Sequence, residues 1–175
     1  MEIRPAHAGD GGAVEALLSA YLAESFPGHI GTSAAVLERD ILSGASGLSI
    51  LVAERDGTPI GFASWHRVYD LHWSKAGVEI VDLYVEPAHR GAGVALALAA
   101  AVCNRALQEG LTYLRGTSFD RASAVGRFYD RIAVTADSAE CHCAGRAFRR
   151  LAQLHGQPPR SMLRQLPPKE WNYEP

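Results

Sequence analysis

Residues 79–101 read EIVDLYVEPAHRGAGVALALAAA, and the reading of this stretch decides the fold. The run through Val85 has the apolar, β-branched composition of a strand. Glu86-Pro87 ends it, because proline has no N–H to offer a ladder. The loop Arg90-Gly91-Ala92-Gly93-Val94-Ala95 then leads into an alanine- and leucine-rich run of high helix propensity. Its two glycines leave no Cβ between backbone and ligand. The loop opens a helix, so unpaired N–H groups and the positive end of the helix dipole face whatever lies in front of it. This is an anion site, and a phosphorylated ligand suits it.

Upstream, residues 2–5 predict a short first strand. Asp10 stands at the cap position of a helix carrying Val14, Leu17, Leu18, Tyr21 and Leu22 at helical spacing, and Phe26-Pro27-Gly28 ends it. Ser33, or Thr32 before it, caps a second helix that buries Val36, Leu37 and Ile41. Residues 48–54 and 60–68 are strands joined by an Asp56-Gly57 hairpin turn. Residues 69–76 form a polar and aromatic connection to a fourth strand at 77–85.

Downstream, the helix after the glycine loop carries Leu96, Leu98, Val102 and Leu107, and Gly110 stops it. A fifth strand covers residues 111–116, and a helix with Phe128-Tyr129 covers 123–132. A strand at 140–144, a helix at 146–154 and a last strand at 161–166 complete the expectation. The order β-α-α-β-β-β-α-β-α-β puts one strand–loop–helix–strand crossover inside an antiparallel meander. It predicts an α/β fold with a mixed, mostly antiparallel central sheet flanked by helices. A single domain is expected over residues 1–166, with a proline-rich C-terminal tail at 167–175.

The 175 residues suit one core, and 47% hydrophobic with 21% charged residues is ordinary for a globular chain. A formal net charge of −2 favours neither nucleic acid nor an anionic membrane as partner. No apolar run reaches a membrane span, and MEIRPAHAGD lacks the regions of a signal peptide. Three cysteines argue against a disulfide framework. A cytoplasmic setting is the expectation.

In this context the chain resembles the GNAT superfamily of acyl-CoA-dependent N-acetyltransferases. The strand Asp82-Leu83-Tyr84-Val85 precedes Glu86-Pro87 and the loop. Within the loop Arg90, Gly93 and Ala95 match the family's Arg or Gln, Gly, and Gly or Ala positions. Phe128-Tyr129 follows one strand and one helix later. The resemblance runs from residue 2 to about residue 132. It departs at Ala122, where the family often has Asn, and at Ala133-Val134, where it often has Gly-Phe.

The resemblance implies acetyl-CoA as cosubstrate; no metal is expected from the residues. The strand Leu83-Tyr84-Val85 would bind pantetheine, through backbone groups of Leu83 and Val85. N–H groups of Arg90, Gly91, Ala92, Gly93, Val94 and Ala95 would hold the pyrophosphate. Tyr129 would protonate the departing thiolate, as a phenol protonated at neutral pH can. Glu79, in a strand-four Glu-Ile-Val context, would free the amine through water. By period two it shares a face with Val85 and opposes Asp82. The loop Ser25-Phe26-Pro27-Gly28-His29 would close over the acceptor, a primary amine of a small molecule or peptide attacking directly. Dimers are frequent in the family, so a homodimer is compatible.

Other readings stay open. His66 and His72 flank the aromatic-rich stretch Trp65 to Trp73 and could line the acceptor pocket or supply the base. A dinucleotide fingerprint fails at its third glycine, where Leu96 stands, and the next strand ends near Arg115-Gly116 without an acidic residue. Cys141-His142-Cys143 lacks the second ligand pair of a structural zinc. Arg146, Arg149, Arg150, Arg160 and Arg164 make the C-terminal part basic. A non-catalytic acyl-CoA-binding regulatory protein and a tRNA-directed acetyltransferase toxin are the alternatives to an N-acetyltransferase.

Overall fold

The computed structural model describes residues 1–118, 122–133 and 153. The chain divides into two compact units, Met1–Arg131 and Ile132–Pro175, and the sheet belongs to the first. The strands expected at 140–144 and 161–166, the helix at 146–154 and the tail at 167–175 lie outside the described residues.

Among the described residues five strands lie side by side in chain order: β1 (Glu2–Pro5), β2 (Ser49–Arg55), β3 (Thr58–Asp70), β4 (Lys75–Val85) and β5 (Leu114–Gly116). Three interfaces are antiparallel, and β4–β5 is parallel. The helices are α1 (Gly11–Ser25), α2 (Ala34–Val36, running into a π-helical turn at Leu37–Leu42), α3 (Val94–Gln108) and α4 (Ala124–Ile132). The expected mixed, mostly antiparallel α/β sheet is thus present.

Period-two alternation sorts the strands between two cores. On one face α3 packs Leu98, Ala99, Val102 and Ala106 against Leu51, Ala53, Val78 and Ile80. On the other, α1 and the π-helical turn pack Val14, Leu17 and Leu37 against Ile50, Val52, Phe62 and Tyr84. The α3 stripe steps by four from Val94, so Leu96 and Leu107 fall on the solvent side at 53% and 69% exposure. Alanines fill the close helix–sheet contact in their place.

Local chemistry revises several expected boundaries. Asp10 sits at the start of α1, but its carboxylate accepts from the His7 N–H at 2.8 Å and from Arg4 at 2.8 and 3.0 Å. Arg4 of β1 outcompetes the helix for it. Glu38 supplies the cap instead, accepting from the Gly9 and Gly11 N–H groups at 2.9 and 2.7 Å. The long connection expected at 69–76 shrinks to a tight turn, because the Asp70 carboxylate accepts from the His72 and Trp73 N–H groups at 2.9 and 3.2 Å. Strand β5 begins later than expected, at Leu114, although the Thr112 N–H and the Tyr113 carbonyl already bond β4.

One irregularity positions the site. Ser64 pairs with Asp82, yet the next residue, Trp65, pairs with Ile80. Val81 is therefore an extra residue, a β-bulge, and is 51% exposed. Before it, Val78 and Ile80 face α3; after it, Leu83 and Val85 do, while Tyr84 faces α1. The bulge inverts the alternation. Glu79 accordingly shares the α1 side with Asp82 and Tyr84, and the expected pairing of Glu79 with the Val85 face is overturned.

Candidate active site

Strand β5 meets β4 at three positions, Val78–Leu114, Glu79–Arg115 and Ile80–Gly116. Beyond Ile80, β4 has no strand partner on that side among the described residues. The Glu86 N–H donates to the Ile60 carbonyl at 3.0 Å. By antiparallel alternation the backbone of Tyr84 also faces β3, whereas Leu83 and Val85 turn their N–H and C=O groups outward. Leu83 and Val85 thus lie on an open edge. The backbone of Tyr84 faces β3 instead.

The edge leads into the glycine loop. Gly91 and Gly93 have φ of 78° and 82°, a left-handed conformation that favours glycine. A Cβ at either would meet nothing within 4 Å, so the space before the loop is open. Gly93 precedes α3, and no side chain caps the helix. The first-turn N–H groups of Val94 and Ala95 are therefore available to an anion. Arg90 departs from expectation: its N–H already donates to the Pro87 carbonyl at 3.3 Å, closing a 3-10 turn at Pro87–His89. The free donors begin at Gly91.

Among the described residues, Tyr129, Glu79, Asp82 and Tyr21 converge on the α1 side, with Arg115 and His66 against Glu79. Ser123 starts α4 by accepting from the Gly126 N–H at 3.0 Å, and the helix carries Tyr129 to 8% exposure. A Cβ at Gly116 would overlap the Tyr129 hydroxyl, so the ring depends on that glycine. Burial first, then the nearby charges of Glu79 and Tyr21, push the Tyr129 phenol up to about 12. The Glu79 carboxylate lies 2.6 Å from Arg115 and 3.7 Å from His66. Asp82 accepts from the Ser64 hydroxyl at 2.7 Å, and its own N–H donates to the same oxygen at 3.1 Å. Burial pushes the Asp82 carboxyl up, against the pull of the Ser64 bond. Tyr21 of α1 is raised by burial and by the Asp82 charge.

The loop after α1 adds aromatic surface. Tyr21 meets Phe26 edge-on at 5.8 Å, Phe26 meets His29 at 5.9 Å, and Tyr21 leans on Tyr84 at 5.9 Å. His72 lies in the exposed β3–β4 turn. Asp82, Ser64 and Tyr21 are site residues that sequence reasoning missed; Asp82 was seen but placed on the wrong face, since nothing in the residue types at 80–82 announces a bulge. Among the described residues no group of three His, Cys, Asp or Glu could hold a metal, and Cys141, His142 and Cys143 lie outside them. No described helix is long and apolar enough to cross a membrane.

The acetyltransferase (GNAT) family model matches residues 14–132. No curated protein matches. Among solved structures, an integron cassette protein from the mobile metagenome of V. cholerae superposes with a TM-score of 0.74 at 19% identity, covering 87% of this chain and 97% of its own. A ribosomal-protein-alanine N-acetyltransferase from Brucella melitensis biovar Abortus 2308 gives 0.64 at 23% identity, covering 81% and 96%. An aminoglycoside N-acetyltransferase, AAC(6')-Iy, in complex with CoA gives 0.68 at 21% identity, covering 81% and 92%. At such identities the superpositions establish the fold.

Proposed function

This chain belongs to the GNAT acetyltransferase family, and from that membership we propose that it moves the acetyl group of acetyl-CoA to a primary amine by direct attack. The observation that carries this reading is the β4 edge at Leu83 and Val85, which has no strand partner among the described residues and leads into the uncapped start of α3. Bound there, acetyl-CoA supplies an activated thioester. Leu83 and Val85 offer sheet-like bonds to an extended, amide-bearing arm. The N–H groups from Gly91 to Ala95 hold the anionic end. Together they fix the reacting carbonyl near the parting of β4 and β5, where an outward N–H can polarise it.

Proton removal falls to the carboxylates of β4. Asp82 is half-buried and, among the described residues, bonded to Ser64 without a cation. Desolvation raises its carboxyl and strengthens it as a base. Glu79, held by Arg115, extends the relay through water. Tyr129 keeps its proton across the physiological range. Its phenol is a weaker acid than a thiol of pKa near ~8.5, so the hydroxyl acts first by donating a hydrogen bond to the departing sulfur. The aromatic wall of Tyr21, Phe26 and His29 suits a small-molecule amine, the acceptor class to which the solved aminoglycoside enzyme also points.

Gly93→Asp against Gly93→Asn tests the site. Asn and Asp both tolerate left-handed backbone, so the pair isolates charge. Calorimetry should find acetyl-CoA binding weaker by tenfold or more in the Asp variant than in the Asn variant, about 1.4 kcal/mol. Equal affinities would refute the anion site.

A further inference from the structure

Arg90 makes three contacts that pyrophosphate binding does not use. Its Nε donates to the Val85 carbonyl at 2.8 Å. Its two terminal nitrogens hold the Glu24 carboxylate, near the end of α1, at 2.8 and 2.6 Å. Its guanidinium carbon lies 5.6 Å over the Tyr84 ring. One side chain therefore ties the open strand edge to the helix that precedes the aromatic loop.

The Val85 carbonyl points outward by the same alternation that exposes Leu83. Left alone, it would be a further acceptor for an amide lying along β4. We propose that Arg90 is a positioning residue: by occupying the Val85 carbonyl and anchoring on Glu24, it ends the ligand-pairing edge and fixes the register of the cofactor's amide arm. This rests on the acetyl-CoA reading above and adds to it what sets the arm's depth. Among the described residues, the groups left for pairing are both backbone groups of Leu83 and the Val85 N–H. Strand pairing repeats every two residues, so a slipped arm would displace the thioester by roughly 7 Å along the edge. A planar guanidinium satisfies a carbonyl and a bidentate carboxylate together, and an ammonium does not.

Acetyl-CoA and 3′,5′-ADP, which lacks the amide arm, are titrated calorimetrically into wild type, Arg90→Ala, Arg90→Lys and Glu24→Gln, with thiol release measured on an amine panel. We expect 3′,5′-ADP affinity within about twofold throughout. Acetyl-CoA affinity should fall three- to tenfold in both Arg90 variants and kcat at least tenfold, with Glu24→Gln intermediate. Arg90→Ala combined with Glu24→Gln should be no worse than Arg90→Ala alone. An unchanged ratio of the two affinities in a folded Arg90→Ala, or full rescue by Lys, overturns the register role. Should Arg90→Ala not fold, the same ratio in Glu24→Gln decides. Wild type that binds neither ligand removes the cofactor reading itself and this inference with it.

Discussion

Removing the Tyr129 hydroxyl is predicted to change the alkaline stability of the protein as well as its rate. The hydroxyl is packed against Gly116, and burial with the charges of Glu79 and Tyr21 raises its pKa to about 12 from 10.0. Between these values the unfolded chain releases a proton that the folded chain retains. The folded state then holds more protons than the unfolded state, and stability falls as pH rises. With pKa values of 10.0 and about 12, this one group costs the native state about 1.4 kcal/mol by pH 11 relative to pH 8. Tyr129→Phe keeps the ring and removes that slope. Urea unfolding of both proteins at several pH values between 8 and 11 reads the difference directly, because the other tyrosines contribute equally to each. In parallel, kcat should drop by roughly 10²-fold with acetyl-CoA affinity nearly intact. Stability curves that remain parallel to pH 11 would mean the hydroxyl meets solvent, and the buried-donor argument would fail with them.

Further expectations follow from neighbouring groups. Asp82→Asn should lower kcat/KM by about 10²-fold and abolish the acidic limb of its pH profile; because the raised Asp82 carboxyl is a stability cost above its folded pKa, the variant should also unfold at higher urea near pH 7. Glu79→Gln should spare most of that limb, and a larger effect on it than that of Asp82→Asn would transfer the base to Glu79. Gly116→Ala drives a methyl into the Tyr129 hydroxyl, so it should reproduce the kcat loss of Tyr129→Phe without weakening acetyl-CoA, and wild-type turnover would contradict the packing. Asp10 is held below the usual carboxylate range by the Arg4 hydrogen bond. Asp10→Asn should therefore cost about 2 kcal/mol at pH 7, with the gap closing as pH falls through the folded pKa.

Local signals carried much of the fold. Two glycines with positive φ, a proline after Val85 and a run of helix formers placed the strand, loop and helix correctly, because their backbone preferences act within a few residues. The Asp56-Gly57 turn was legible for the same reason, with φ of 52° and 78°. The family likeness of residues 82–95 and Tyr129 was likewise carried by side-chain type and spacing. Competition between distant groups was not legible: Arg4 draws Asp10 away from the cap, Pro87 satisfies the Arg90 N–H, and Glu24 captures the Arg90 side chain. The bulge at Val81 is the sharpest instance. It arises where β3 and β4 fall out of step at Ser64 and Trp65, a mismatch between two strands that neither strand encodes alone. That one extra residue turns Asp82 to the side of Glu79 and Tyr84, and it comes just where β5 ends its pairing at Ile80. The chain by itself named the residue types of an acyl-transfer site; tertiary pairing decided which of them share a face, because side-chain direction in a sheet depends on register with a partner strand.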